Sequence, residues 1–174
     1  PGESIILKMK FEVANLSKTN NILFLDDNID DLYIGSWYPR LIPFSNGNWK
    51  KRDFLANNYE INISVSPDEV IAASGIEFST ENIREKGIKK VSYKIDNSRA
   101  FAFAISKYIS SVTEELKEGI IIKSYYKTNK SSKLLQTIID TTKDVLLFYY
   151  KKFGFFPYKQ ISILPGNSFT KGGY

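Results

Sequence analysis

Apolar and polar residues alternate along the first two thirds of this chain, and turn-forming residues punctuate the alternation. In "SIILKMKFEVAN", Leu7, Met9, Phe11 and Val13 share one side of a period-two pattern, with Ile6, Lys8 and Lys10 on the other. That pattern predicts a half-buried strand. "NNILFLDD" predicts a second, shorter strand bounded by Asn and Asp. In "YEINISVSPDEVIAASG", Tyr59, Ile61, Ile63 and Val65 alternate with polar residues, "SPDE" turns, and Val70 to Ala73 run back to Gly75. The expectation there is a hairpin. "KKVSYKID" and "RAFAFAIS" predict another antiparallel pair around "DNS", and "SVTEEL" and "GIIIKSYYKT" extend the series across Glu118-Gly119.

The period changes near Ser131. In "SSKLLQTIIDTTKDVLLFYYKKFG", Leu134, Leu135, Ile138, Ile139, Val145, Leu146, Tyr149 and Phe153 recur at helical spacing. Ser131 or Ser132 suits the N-cap, and Gly154 stands where a left-handed residue ends a helix. "FFPYK" stops the helix and "QISIL" predicts one more strand. The order is many strands, then strand–helix–strand: a mainly β fold, with an antiparallel β domain over residues 1–118 and the opening of an α+β domain over 119–174. There is no internal repeat and no low-complexity tract.

Composition narrows the chemistry more than the fold. A chain of 174 residues holds one medium domain, or a small one and part of another. With 43% hydrophobic residues it can build a core, which excludes the disordered class. The net charge of +5 is scattered rather than blocked, so no nucleic-acid partner is expected. No apolar run reaches transmembrane length. The chain has no Cys, which excludes disulfides and thiolate metal sites, and no His. Without His there is no Ser-His-Asp triad, no H-E-x-x-H zinc site and no imidazole base in this chain. Because it starts at Pro1 rather than Met, the sequence is expected to be an excised or processed piece, and its compartment, cytoplasmic or secreted, is left open.

Four stretches invite a site. "DDNIDD" (Asp26 to Asp31) spaces oxygen ligands as a calcium loop does, but Asp31 replaces the Gly of its sixth position and Trp37 the Glu of its twelfth. A solvated turn is expected instead. "IGSWYPRLIPFSNGNWKKRDF" could stack a sugar or base, although the expectation is a loop pinned over the sandwich by buried Trp37 and Trp49. "LPGNSFTKGG" follows a strand, yet Lys171 precedes its glycines and no helix follows, so it is not a phosphate loop. Glu114-Glu115 and the pair Glu81/Glu85 lack any partner that would tune a carboxyl for acid–base work, and are read as solvated faces.

Four segments in order resemble the aminopeptidase N-like zinc metallopeptidases. "YEINISVSPDEVIAASG" is similar to the family's Y-x-V hairpin ending in A-x-G. "SWYPRLIPFSNGNW" resembles its W-(apolar)-P…G-W segment. "SRAFAFAIS" resembles its D-F-a strand, with Ala100 where Asp is usual. "YYKKFGFFPYKQISIL" matches its F-G-x-(aromatic)-P-Y helix-to-strand junction. The resemblance spans Ser36 to Tyr174. It implies an N-terminal β sandwich or saddle leading into the truncated start of a thermolysin-like catalytic domain, whose zinc helix would follow. It implies zinc in the parent protein and none on this piece, with no catalytic residue and no metal ligand here. The implied partners are the remainder of the catalytic domain and a peptide substrate. Gly172 and Gly173 correspond to the glycines of the substrate-binding strand, and Tyr174 replaces the usual Met, which bears on whether the parent is an aminopeptidase or a degenerate relative. The reading from another class is a free-standing β-sandwich binding module. A module would bury the apolar stripe of the helix, whereas a piece of a larger enzyme would leave part of it bare.

Overall fold

A computed structural model describes residues 6–12, 23–25, 32–34, 38–39, 42, 44–49, 56–116, 119–127 and 132–164. Its strands are β1 (Leu23–Leu25), β2 (Leu32–Ile34), β3 (Phe44–Ser45), β4 (Asn48–Trp49), β5 (Asn57–Val65), β6 (Val70–Ala73), β7 (Ile76–Ile83), β8 (Ile88–Ser98), β9 (Phe103–Ser106), β10 (Ile109–Glu115), β11 (Ile121–Lys127) and β12 (Gln160–Ile163). One helix, α1 (Ser132–Phe153), lies between β11 and β12. The fold is mainly β, as the alternation predicts.

Three sheets stack, and each strand's period-two pattern shows which neighbours it meets. The first runs β5-β8-β7, the second β1-β2-β9-β6, the third β10-β11-β12, and β3 and β4 form a separate small ladder. Ile63 and Val65 of β5 and Val91 and Tyr93 of β8 pack with Ile71 and Ala73 of β6 around Phe101, which is fully buried. The opposite parity of the second sheet, Ala72 and Ala104, packs on Ile109 and Tyr125 of the third. On the far side of that sheet Ile122, Ile161 and Ile163 meet Leu146 of the helix. Removing a side chain such as Phe101 from water contributes about 1.5–3 kcal/mol, so these three seams hold the stack together.

The last unit closes as the sequence predicts, with a topology it could not specify. β10 and β11 are antiparallel, α1 crosses over, and β12 returns parallel to β11 with Ile122 opposite Ile161. Leu135, Ile139 and Leu146 are buried along one stripe of α1. Its end is the expected one: Gly154 has φ +82 and its N–H donates to the Tyr150 carbonyl at 2.8 Å.

Several pairings differ from expectation. β5 and β6 are joined by the "SPDE" turn, where the Glu69 N–H donates to the Ser66 carbonyl, but they are not a hairpin. β5 pairs with β8, and β6 with β9 in the next sheet. The expected pair around "DNS" is likewise split, because Phe101 plugs the space between sheets and the chain passes from one to the other around it. Alternation specifies a buried face but not the strand that lies alongside. β7 carries no predictive pattern: Glu77, Ser79, Thr80, Glu81 and Asn82 are all exposed, as befits a polar edge strand. Residues 6–12 form no strand, and Ile6, Leu7, Met9 and Phe11 are exposed there, because a period-two pattern marks a face without supplying the strand it needs alongside.

Candidate functional site

The most organised polar chemistry in the chain lies along the outer edge of β6. Being last in its sheet, β6 presents carbonyls of one parity to which no described strand donates. Side chains from three other strands fill them. Lys89 of β8 donates to the carbonyl of Glu69, and also to that of Pro67 at 3.2 Å. The hydroxyls of Tyr93 and Tyr125 both point at the Ile71 carbonyl, from 3.3 and 3.5 Å. Ser162 of β12 donates to the Ala73 carbonyl at 2.8 Å. Gln160 donates to the Gly75 carbonyl at 3.3 Å and to the Ser162 hydroxyl at 3.0 Å. Positions 69, 71, 73 and 75 thus form one row with four kinds of donor. Each buried carbonyl left bare would cost about 1–3 kcal/mol, so the row is an energetic requirement of this packing.

Burial holds both tyrosine hydroxyls above the usual range, with the Glu77 charge adding to the effect in each case. They are therefore neutral donors. One ion pair adjoins the row, and a second lies between the third sheet and the helix. Asp68, in the turn before β6, pairs with Lys107 at 3.1 Å, and that hydrogen bond keeps its carboxyl below the usual carboxylate value. Glu114 of β10 pairs with Lys143 of α1, which holds the lysine above its usual value and ties the helix to the third sheet. Glu114 is thus a helix anchor rather than a solvated carboxylate. The Ser124 hydroxyl, buried on the helix side of β11, has no hydrogen-bond partner among the described residues.

The second feature is the outer end of α1. Beyond Leu146 the helix has Leu147, Phe148, Tyr149, Tyr150 and Phe153 around its circumference, all exposed, with Phe155 beyond the cap. Phe148 and Phe153 are 55% and 68% exposed. A helix apolar all round belongs in an interior. The aromatics instead pack on one another: Tyr149 stacks on Phe153 at 5.8 Å and Lys152 covers the Phe148 ring. From Val145 to Tyr174 there is no Asp or Glu.

The sequence-derived candidates are distributed unevenly over these features. Gly172, Gly173 and Tyr174, the acidic run Asp26 to Asp31, and Trp37 lie outside the described residues. Trp49, expected to be a buried pin, is 63% exposed and packs edge-on against Phe44 across the Asn46-Gly47 turn. The aromatic loop is pinned through Tyr38, whose ring meets Tyr59 and whose hydroxyl donates to the Tyr59 hydroxyl at 3.0 Å. Among the described residues no three acidic side chains come together as a metal site would require. No described helix is long and apolar enough to cross a membrane. No sequence pattern announces the row on β6, since Tyr93, Tyr125 and the Gln160/Ser162 pair are 32 or more positions from one another and share no motif; polar residues at 160 and 162 of a strand bounded by apolar ones were the available signal.

No protein-family model matches this sequence, and no curated protein is significantly similar to it.

Proposed function

We propose that this chain is the N-terminal portion of a zinc-dependent metallopeptidase of the aminopeptidase N-like kind. In this reading the β layers wall one side of the active-site cleft, and residues from 119 onward open a thermolysin-like catalytic domain. Gly172 and Gly173 would lie on the strand along which a peptide's backbone binds, where the lack of side chains lets it approach. Tyr174 would occupy the position before the group that holds the substrate's free amine.

The observation that carries the reading is the bare apolar end of α1. A free-standing module has every reason to bury Phe148, Tyr149 and Phe153, whereas a domain opening needs them against the core that follows. The strand–helix–strand order of β11, α1 and β12 supports it further. The chain has no His or Cys, and among the described residues no three carboxylates converge to hold a zinc ion. In this reading the zinc ligands and the base for the bound water belong to the remainder of the catalytic domain.

The test is the protein continued past Tyr174. Metal analysis should give one zinc per chain, and aminoacyl-anilides should be hydrolysed. A continued sequence without H-E-x-x-H would overturn the active-peptidase reading and leave a degenerate relative. The chain alone should bind a hydrophobic dye, and the pair Phe148→Ser and Phe153→Ser should remove that signal. A clean monomer that binds no dye would favour the interaction module, which the exposed Phe44–Trp49 pair would then serve.

A further inference from the structure

We propose that Gln160 and Ser162 are positioning residues that lock the register of β12 against the edge of β6, and so set where the chain enters the proposed substrate strand. The functional half of this inference rests on the peptidase reading above. β12 lies in a sheet covered by α1 on one side and by the second sheet on the other. Its four residues are half-buried, and a strand covered on both faces is ordinarily apolar throughout. Here Ile161 and Ile163 obey that rule toward the helix, while Gln160 and Ser162 break it toward β6.

The two side chains form one relay. The amide nitrogen of Gln160 donates to both the Gly75 carbonyl and the Ser162 hydroxyl, and the Ser162 hydroxyl in turn donates a hydrogen bond to the Ala73 carbonyl. Parallel pairing with β11 offers evenly spaced bonds, so by itself it discriminates poorly between registers two residues apart. The relay does discriminate. A slip of one residue turns Ile161 and Ile163 away from the helix. A slip of two in one direction sets Leu164 where Ser162 stood and strips the donor from the Ala73 carbonyl, and in the other it forces the larger Tyr158 and Gln160 into the places shaped for Gln160 and Ser162. Tyr125, reaching Ile71 from β11, keys the neighbouring strand to the same edge. The β layers therefore dictate the placement of β12, although Gly75 and Gln160 are 85 positions apart.

The experiment compares the wild type, a Gln160→Leu/Ser162→Ala variant and Ser162→Thr. In this chain, hydrogen exchange at the β12 amides should accelerate about tenfold in the double variant, the effect of losing roughly one net hydrogen bond. Protection in α1 should hold, and Ser162→Thr should restore β12. Unchanged β12 protection, or equal loss across α1, would overturn the positioning role. In the protein continued past Tyr174, KM for an aminoacyl-anilide should rise about tenfold with kcat within about twofold and zinc content unchanged. A fall in kcat with KM constant would overturn the functional half. If the continued protein holds no zinc and cleaves nothing, the peptidase reading fails, and hydrogen exchange still decides whether these residues set the register.

Discussion

The Ser162 hydroxyl donates to the Ala73 main-chain carbonyl at 2.8 Å, bridging 89 positions of sequence. It helps to join the crossover unit to the edge of the middle sheet. It belongs to a row in which Lys89, Tyr93, Tyr125 and Gln160 perform the same task at neighbouring carbonyls. The edge of β6 is closed by side chains rather than by another strand. Its consequences are measurable.

Tyr93 and Tyr125 share the Ile71 carbonyl as acceptor. Tyr93→Phe or Tyr125→Phe alone should cost about 0.5–1.5 kcal/mol, because the other hydroxyl still satisfies it. Together they should cost more than the sum, by about 0.5 kcal/mol or more, since only then is the carbonyl left bare. Urea unfolding of the four proteins measures this. Strict additivity would show that the two donors do not share the acceptor.

The same pair governs behaviour in alkali. Burial raises both hydroxyls above the ordinary tyrosine value of 10.0, so the fold prefers their neutral form. Their contribution is complete below pH 10 and declines as pH rises toward the folded values. Above pH 10 each should subtract about 1.4 kcal/mol of stability per pH unit. The double Phe variant should lose that steepness relative to the wild type. Phenolate absorbance should show two tyrosines ionising only with unfolding.

Leu146 and Leu147 are adjacent and identical in chemistry, but Leu146 is buried against Ile122 and Leu147 faces out. Leu146→Ala should destabilise by about 2–5 kcal/mol through lost contacts and a cavity. Leu147→Ala should stay within about 0.5 kcal/mol. Equal effects in thermal unfolding would mean that α1 sits on the sheet by another face.

Gly75 sits where the chain leaves β6 for β7. A Cβ there would lie 2.8 Å from the Lys94 carbonyl oxygen and 3.1 Å from the Phe101 ring. The oxygen belongs to a paired strand backbone and cannot step aside. Gly75→Ala should therefore cost about 1–3 kcal/mol, and calorimetry would show it as a lowered melting temperature. A neutral result would mean that the two sheets are less closely apposed at this corner.

Elements whose chemistry is local are legible in the order of residues alone. Alternation at Tyr59, Ile61, Ile63 and Val65 specified β5, and apolar spacing with Gly154 specified α1 to within a residue at each end, because a strand face and a helix stripe need only their own residues to declare themselves. Tertiary structure alone decided the rest. It chose β8 rather than β6 as the partner of β5, gave the polar residues of β7 a strand to pair with, and left Trp49 outside the core. It also brought Tyr93, Tyr125, Gln160 and Ser162 onto one edge. Pairing and edge closure depend on backbone groups that every residue shares, so nothing in a side-chain pattern says which of them will meet, until packing around Phe101 and Leu146 sets the layers at a fixed distance.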